Sequence, residues 1–491
     1  KKKKKKNHPF KVLKLLLNLK ECSIIKPVLY RIRTNRLFSM HNRLDCNKKI
    51  AGMYVFARCN THIKDIPRAF ARDKKGLIKM VGFAVMGHGV VGSGVVEVFY
   101  KNHDSIVSRA GTDVDLKYIL DIRDFPNLPY SDKFTKNFED ILNDPEVEVV
   151  AEVMGGLKPA YDFTKRLLLA GKSVVTSNKE LVAAKGAELL KIAKEKNVNY
   201  LFEASVGGGI PIIRPINQCL AANNIDEILG ILNGTTNFIM TKMIKESMSF
   251  DDALALAQQL GYAEKDPTAD VDGHDACRKI CILASIAFGK HVYPAQVHTE
   301  GISKITLMDV AYAADYNSVI KLIGKVAMKE NGKLYCLVAP MLVSRESQLS
   351  SVDDVFNAIM VRGNATGDVM FYGKGAGKLP TASAVMADII DCFKHIKARK
   401  NVFWEDGDPD YVDDYDLGEV SLYIRGKAAD TERAKKDIEK AFGKVKYLSC
   451  KDAPEHDIAF VTEKKVEREL KEKLKSLSLE LEPLNVLRIC E

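Results

Sequence analysis

From Val81 to Glu203 the chain alternates short apolar runs with longer amphipathic stretches. The runs are Val81–Met86, Leu116–Ile122, Glu148–Met154, Ser173–Thr176 and Asn199–Glu203. Their near-continuous apolar character predicts strands covered on both faces. Between them Pro159–Ala170 and Leu181–Glu195 have helical spacing, and Val95–Tyr100 opens a helix after the glycine-rich turn Gly87–Gly94. Strands separated by helices predict a parallel, doubly wound sheet in an α/β domain.

After Pro211 the pattern changes. An apolar run, Glu227–Leu232, leads into Asn233-Gly234-Thr235-Thr236-Asn237. Asp251–Leu260 is a predicted helix with two acids at its positive end and Gly261 as its stop. The polar stretch Tyr262–Gly273 feeds an apolar helix, His274–Phe288. A second glycine-rich stretch, Gly373–Ser383, precedes a helix at Ala384–Phe393. Residues 404–416 hold seven acids with Gly407 and Pro409, a linker composition. Beyond them Glu419–Arg425, Thr431–Phe442, Val445–Cys450, Asp457–Thr462, Val466–Leu477 and Leu481–Ile489 read strand, helix, strand, strand, helix, strand. That is the ferredoxin-like order. The expected layout is a Rossmann-type domain at 80–210, completed by about 373–400, an α+β domain at 211–372, an acidic linker at 401–416 and a ferredoxin-like domain at 417–491.

Composition narrows the class. At 491 residues and 46% hydrophobic, the chain has room for two or three domains with real cores, and no apolar run is long enough to span a membrane. The formal charge of +10 hides an asymmetry: residues 1–79 carry 23 Lys and Arg against 4 Asp and Glu, so the remainder is net −9. An acidic body behind a basic leader argues against nucleic acid as a partner. The leader has no amphipathic period and gives way to the strand at Val81. It reads as translated upstream sequence outside the fold, with a mitochondrial-type presequence as the alternative. Cys277 and Cys281 are the one close pair among ten cysteines, without two further ligands at zinc spacing, which predicts reduced thiols in a cytoplasmic protein.

Gly87-His88-Gly89-Val90-Val91-Gly92 fits G-x-G-x-x-G between a strand and a helix, the context that a dinucleotide requires. Gly87 permits the tight turn, Gly89 leaves room for a pyrophosphate, and Gly92 lets the helix pack close. The helix start, Val90 and Val91 included, offers amides to the phosphates. At the end of the second strand Asp121 suits a ribose hydroxyl and NAD, whereas Arg123 suits a 2′-phosphate and NADP.

The densest polar cluster is Gly261–Lys279, with Glu264, Asp270, Asp275 and Lys279. Asp275 and Lys279 lie four apart on one helix face. A surface ion pair is the ordinary meaning of such spacing, but Ile280, Ile282, Leu283 and Ile286 make this helix apolar, and charge near a core is costly unless paired or used. A lysine ammonium can stabilise an alkoxide and deliver a proton to it, and carboxylates suit an ammonium-bearing substrate.

Together with Gly261–Lys279, four more stretches resemble homoserine dehydrogenases. They are Thr176-Ser177-Asn178-Lys179, Glu203–Pro211, Gly230–Asn237 and Gly375–Ala384. The resemblance implies a reversible NAD- or NADP-dependent interconversion of L-homoserine and L-aspartate 4-semialdehyde, in the threonine, methionine and isoleucine branch of the aspartate pathway. It implies Lys279 as proton donor, Asp275 as binding and orienting the substrate, Glu264 as its ligand, and Asp270, Gly234 and Thr235 as further parts of the substrate site. Lys179 would stand where nicotinamide and substrate meet and share in proton transfer, and Gly377 would touch the cofactor. Glu203, Val206, Gly208 and Ile210 would supply backbone or carboxylate oxygens to a structural sodium or potassium ion. Residues 211–372 would bind substrate and form a homodimer.

Residues 417–491 resemble an ACT domain, the amino-acid-sensing module often fused to this enzyme. The usual Asp-x-Pro-Gly turn is replaced by Asp430-Thr431-Glu432-Arg433, which leaves an amino-acid effector open. Two other functions compete. An acylating semialdehyde enzyme would need a cysteine nucleophile, yet Cys219 and Cys277 sit in no nucleophile turn; a non-catalytic dinucleotide sensor would have lost the polar cluster, which is present.

Overall fold

The computed structural model describes residues 81–396, 398, 402–477 and 479–490; the basic leader, residues 1–79, lies outside the described residues. The first sheet is built from β1 (Val81–Met86), α1 (Val90–Lys101), α2 (His103–Ala110), β2 (Val114–Leu120), β3 (Phe134–Thr135), α3 (Phe138–Asn143), β4 (Val147–Glu152), α4 (Ala160–Leu169), β5 (Ser173–Thr176), α5 (Lys179–Lys196) and β6 (Tyr200–Leu201). Its order is β3-β2-β1-β4-β5-β6, and every pair is parallel. The direction of winding reverses between β1 and β4, so their carboxyl ends open a crevice there. All six residues of β1 are buried, as a central strand with helices on both faces demands. β2 stops at Leu120, short of the expected Ile122, whose side chain is exposed.

The second region holds β7 (Ile225–Ile231), α6 (Gly234–Glu246), α7 (Phe250–Gln259), α8 (Thr268–Val271), α9 (His274–Phe288), β8 (His298–Thr299), α10 (Leu307–Asp315), β9 (Ser318–Met328), β10 (Leu334–Ser344), β11 (Phe356–Gly363), β12 (Gly367–Lys374) and α11 (Lys378–Lys394). β9 to β12 fall in a stretch where the sequence suggested no element. β10 is buried at every position but its last, so the alternation that marks a half-exposed strand is missing. Ile320, Leu322 and Val326 share a core with Ile280 and Leu283 of α9, whereas Leu229, Ile231, Ile323, Leu337 and Ala339 form a second apolar layer. α11 returns to pack on α1, with Gly94 backed against the Lys378 carbonyl and Ala382.

The last region is β13 (Glu419–Val420), β14 (Leu422–Lys427), α12 (Thr431–Phe442), β15 (Val445–Leu448), β16 (Asp457–Thr462), β17 (Lys465–Val466), α13 (Glu467–Ser476) and β18 (Glu482–Cys490). Its main strands run β18-β14-β16-β15 with antiparallel neighbours, around a core of Leu422, Ile424, Ile438, Phe442, Phe460 and Leu470. It does not hang free as a separate lobe. β18 pairs in parallel with β10, and the result is one ten-stranded sheet.

The acidic stretch before it is likewise fastened down. Trp404 is buried and donates its indole N–H to His291 Nδ1 at 2.8 Å; the Leu334 amide donates to the Tyr411 carbonyl at 3.0 Å. Asp408 pairs with Lys290 at 2.8 Å and Asp413 with Lys329 at 2.7 Å, so acids that suggested a loose tether act as surface pins. Among the described residues no helix is long and apolar enough to cross a membrane.

Candidate active site

The glycine-rich turn joins β1 to α1 as expected. A Cβ on Gly92 would stand 1.9 Å from the Gly87 carbonyl oxygen, so the turn itself, more than helix-to-strand packing, requires glycine there. A Cβ on Gly89 would meet nothing within 4 Å, so its open side faces the crevice. α1 has neither a side-chain cap nor an acid in its first turn, and its leading amides remain available to an anion. Val90 is exposed and Val91 partly so. A cleft of about 510 Å³ lies beside them, lined by Gly87, Gly89, Arg123, Lys136, Met154 and Phe163 among others. These features fit a dinucleotide.

Asp121 and Arg123 prove to be partners, where the sequence set them as rivals. Asp121 accepts the His88 amide at 2.7 Å, and its two oxygens take the Arg123 guanidinium at 2.9 Å each. Hydrogen bonds from Arg123 outweigh burial and hold this carboxyl well below the aspartate range. The Asp121 side chain is almost covered, whereas that of Arg123 is 57% exposed. The acid is engaged in holding the turn, and the guanidinium faces solvent.

The polar cluster assembles at the end of β7 and the start of α9. Lys279 Nζ donates to the Leu232 carbonyl and to Asp275 Oδ2, both at 2.7 Å, and lysine and aspartate are both buried. Lys179, the first residue of α5, comes from the other domain and places its Nζ 2.5 Å from Asp275 Oδ1. One carboxylate therefore bridges two ammonium groups. Asn233 was quoted within its motif but given no role by sequence reasoning. Its amide donates to Asp270 Oδ1 at 2.7 Å and to Asp275 Oδ2 at 2.8 Å, while its oxygen caps α6 at Thr236. Its place just before a helix start was the available signal.

Burial pulls the Lys279 ammonium below the lysine range, and the nearby Lys179 charge adds to this against the attraction of Asp275. Lys179 moves up, because Asp275 outweighs its burial. Asp275 stays ionised: burial pushes its carboxyl up, but the two lysines more than reverse that. Burial and the Asp275 charge raise Asp270. The cluster is thus two cations and an anion with a second acid beside them.

The other expected residues take varied places. Thr235 donates its hydroxyl to the Tyr262 carbonyl at 2.7 Å, so it holds the following loop. Gly234 begins α6, close against the Val355 carbonyl. Glu264 is exposed on the loop past Tyr262 and is not drawn into the Asp275 cluster. Gly377 is the N-cap of α11, and Gly208 abuts Gly375 and Ala376 just before it, so two of the five motifs meet. Glu203 accepts the amides of Ile212, Ile213 and Arg214 at 2.6–2.9 Å, which engages its carboxylate within the chain. Among the described residues no three His, Cys, Asp or Glu side chains gather as a metal site.

Comparison with known proteins agrees with this geometry. Residues 87–203 match the family model described as the homoserine dehydrogenase NAD-binding domain, and residues 211–390 match that described as homoserine dehydrogenase. The homoserine dehydrogenase of Bacillus subtilis is 41% identical over 325 residues, covering 65% of this chain and 74% of the relative; that of Synechocystis is 43% identical over 316 residues, covering 63% and 73%. The crystal structure of a homoserine dehydrogenase from Thiobacillus denitrificans superposes with a TM-score of 0.75 at 33% identity, covering 84% of this chain and 99% of that one. A hyperthermophilic archaeal homoserine dehydrogenase in complex with NADPH superposes with a TM-score of 0.55 at 30% identity, covering 64% and 97%. With the crevice, the lysine-bridged carboxylate and both family matches in one chain, this protein belongs to the homoserine dehydrogenases, NAD(P)-dependent oxidoreductases that interconvert L-homoserine and L-aspartate 4-semialdehyde.

Proposed function

We propose that Lys279 exchanges the proton of this reaction, and the observation that carries the assignment is the Lys179–Asp275–Lys279 bridge. When bound, the nicotinamide delivers or accepts the hydride at the substrate carbon. In the direction of reduction, the Lys279 ammonium stabilises the developing alkoxide and gives it a proton; in oxidation, the neutral amine takes the hydroxyl proton. Asp275 takes the hydrogen bonds of Lys279 and Asn233 on Oδ2 and the Lys179 ion contact on Oδ1, a buried oxygen with no hydrogen-bond donor, so it can both orient the lysines and bind the substrate. Asp270 and Glu264 are the acids this reading assigns to the substrate ammonium. Gly234 and Thr235 shape the floor by setting the helix start and the loop. Lys179 stands at the seam between cofactor and substrate domains.

The Arg123 guanidinium is held through Nε and Nη2 by Asp121 and the His88 carbonyl but is exposed beyond them, and its charge, with Lys136 on the same cleft, favours the 2′-phosphate of NADP. Gly87, Gly89, Val90, Val91, Gly92 and Gly377 line the path of the dinucleotide. The backbone oxygens of Glu203, Val206, Gly208 and Ile210 are the donors for a structural monovalent ion. A homodimer formed through residues 211–372 is part of this reading. The C-terminal βαββαβ unit is read as ACT-like, and seven cysteines without disulfides among the described residues suit the cytoplasm.

The test is homoserine-dependent reduction of NAD and of NADP by the full chain beside Lys279→Ala. Turnover nearly abolished in the variant, with cofactor binding intact, supports the assignment. An active Lys279→Ala overturns it.

A further inference from the structure

The ion cluster that joins the C-terminal unit to the middle of the chain sits close to the acids of the active site. Arg488, on β18, is buried among charges. Its guanidinium donates to both oxygens of Glu467 at 2.7 and 2.8 Å, and to both oxygens of Glu300 at 2.9 and 3.1 Å. One fork therefore spans two carboxylates, one from α13 and one from the segment after β8. Other groups face it from every side. Lys471 pairs with Glu467 at 2.7 Å, and His298 with Glu300 at 2.6 Å. Tyr415 stacks on His298 with ring centres 3.6 Å apart and lies under the Arg488 guanidinium. Burial raises the Glu300 carboxyl, but His298 and Arg488 overcome this and bring it to about 2. The pair is charged at any working pH.

The main chain at Glu300 is seated on the turn between Asp270 and Asp275. The Ile302 amide donates to the Val271 carbonyl at 2.9 Å. A Cβ on Gly301 would stand 2.3 Å from that same carbonyl oxygen, and one on Gly273 would stand 3.2 Å from the Glu300 carbonyl oxygen. Gly273, at φ +83°, is the N-cap of α9, two residues before Asp275 and three after Asp270. Backbones this close cannot shift independently.

We propose that Arg488 is a positioning residue for the substrate site: by clamping Glu300 it holds the Val271–Gly273 turn, and with it the spacing of Asp270 and Asp275. This rests on the assignment of those acids to the substrate site. The final strand of the chain is then a working part of the enzyme. Without the guanidinium, Glu467 and Glu300 repel one another; Glu300, which is partly exposed, swings toward water and releases the turn.

The experiment compares Arg488→Gln, Arg488→Lys and Glu300→Gln in the full chain, with homoserine kinetics and fluorescence titration of NADPH. Arg488→Gln is expected to raise KM for homoserine tenfold or more with the Kd for NADPH within twofold of the parent. Arg488→Lys is expected to recover part of that loss, since it keeps the charge without the fork. Glu300→Gln breaks the clamp at its exposed end and is expected to move KM in the same direction, which covers the case in which Arg488→Gln fails to fold. Folded variants with homoserine KM unchanged, or with NADPH affinity falling in parallel, overturn the proposal. An active Lys279→Ala would instead strike at the substrate-site assignment beneath it, so the two failures are separable.

Discussion

Lys179 Nζ lies 2.5 Å from Oδ1 of Asp275, and that contact ties the first helix after β5 to the helix that carries Lys279. It joins the NAD-binding region to α9 beside a second contact, His291 Nε2 with the Ala183 carbonyl at 2.8 Å. Removing that carboxylate therefore affects both sides.

Asp275→Asn is expected to leave Lys279 buried without its anion. Loss of one partner of a buried pair costs about 3–5 kcal/mol. The variant should unfold at markedly lower denaturant and lose at least a hundredfold in kcat/KM, checked by urea titration and steady-state kinetics. The same group sets an acid limit. Its folded carboxyl lies below the ordinary value of 3.8, so the unfolded chain takes up the proton first. This stabilisation is complete above about pH 4 and drains away as pH falls below it.

Lys279 has the opposite sign of use in the two reaction directions. Its ammonium sits below the ordinary lysine value of 10.5 because it is buried. Homoserine oxidation should rise with pH toward that lowered value as the amine becomes free to take the proton. Semialdehyde reduction should fall over the same interval. Lys279→Arg keeps a permanent cation and is expected to abolish the rise in oxidation. A pH profile of kcat/KM in both directions decides it.

Asn233→Ala is expected to cost about 1–2 kcal/mol as a lost helix cap, and to raise KM for homoserine because Asp270 and Asp275 lose their shared donor. Asn233→Asp should be worse for catalysis, since it sets a third carboxylate beside the other two. Thermal melts and KM separate cap from site.

Arg123→Ala is expected to weaken NADPH at least tenfold, the scale of about 1.5–3 kcal/mol for a charged hydrogen bond, with a smaller effect on NADH. Fluorescence titration of the two reduced cofactors measures it. Equal losses for both would mean that Arg123 acts only through Asp121 and the glycine turn.

Much of this enzyme was legible in one dimension. The strand at Val81–Met86, the helix at His274–Phe288 and the βαββαβ series after Glu419 all rest on spacing between near neighbours and form close to where that spacing placed them, whereas α1 starts at Val90, inside the expected turn. The i,i+4 pairing of Asp275 with Lys279 follows from helix geometry alone. Tertiary structure decided what spacing does not carry. β9 and β10 were hidden because burial on both faces erases their period, whereas β12 is largely exposed. Lys179 meets Asp275, Asn233 links two acids, and Arg488 reaches Glu300 across long stretches of chain. Asp121 and Arg123 became one ion pair when two sequence neighbours folded onto the His88 amide and carbonyl. Side-chain period is a local property of the backbone, whereas the partner of a buried charge depends on which distant segments the sheets bring together.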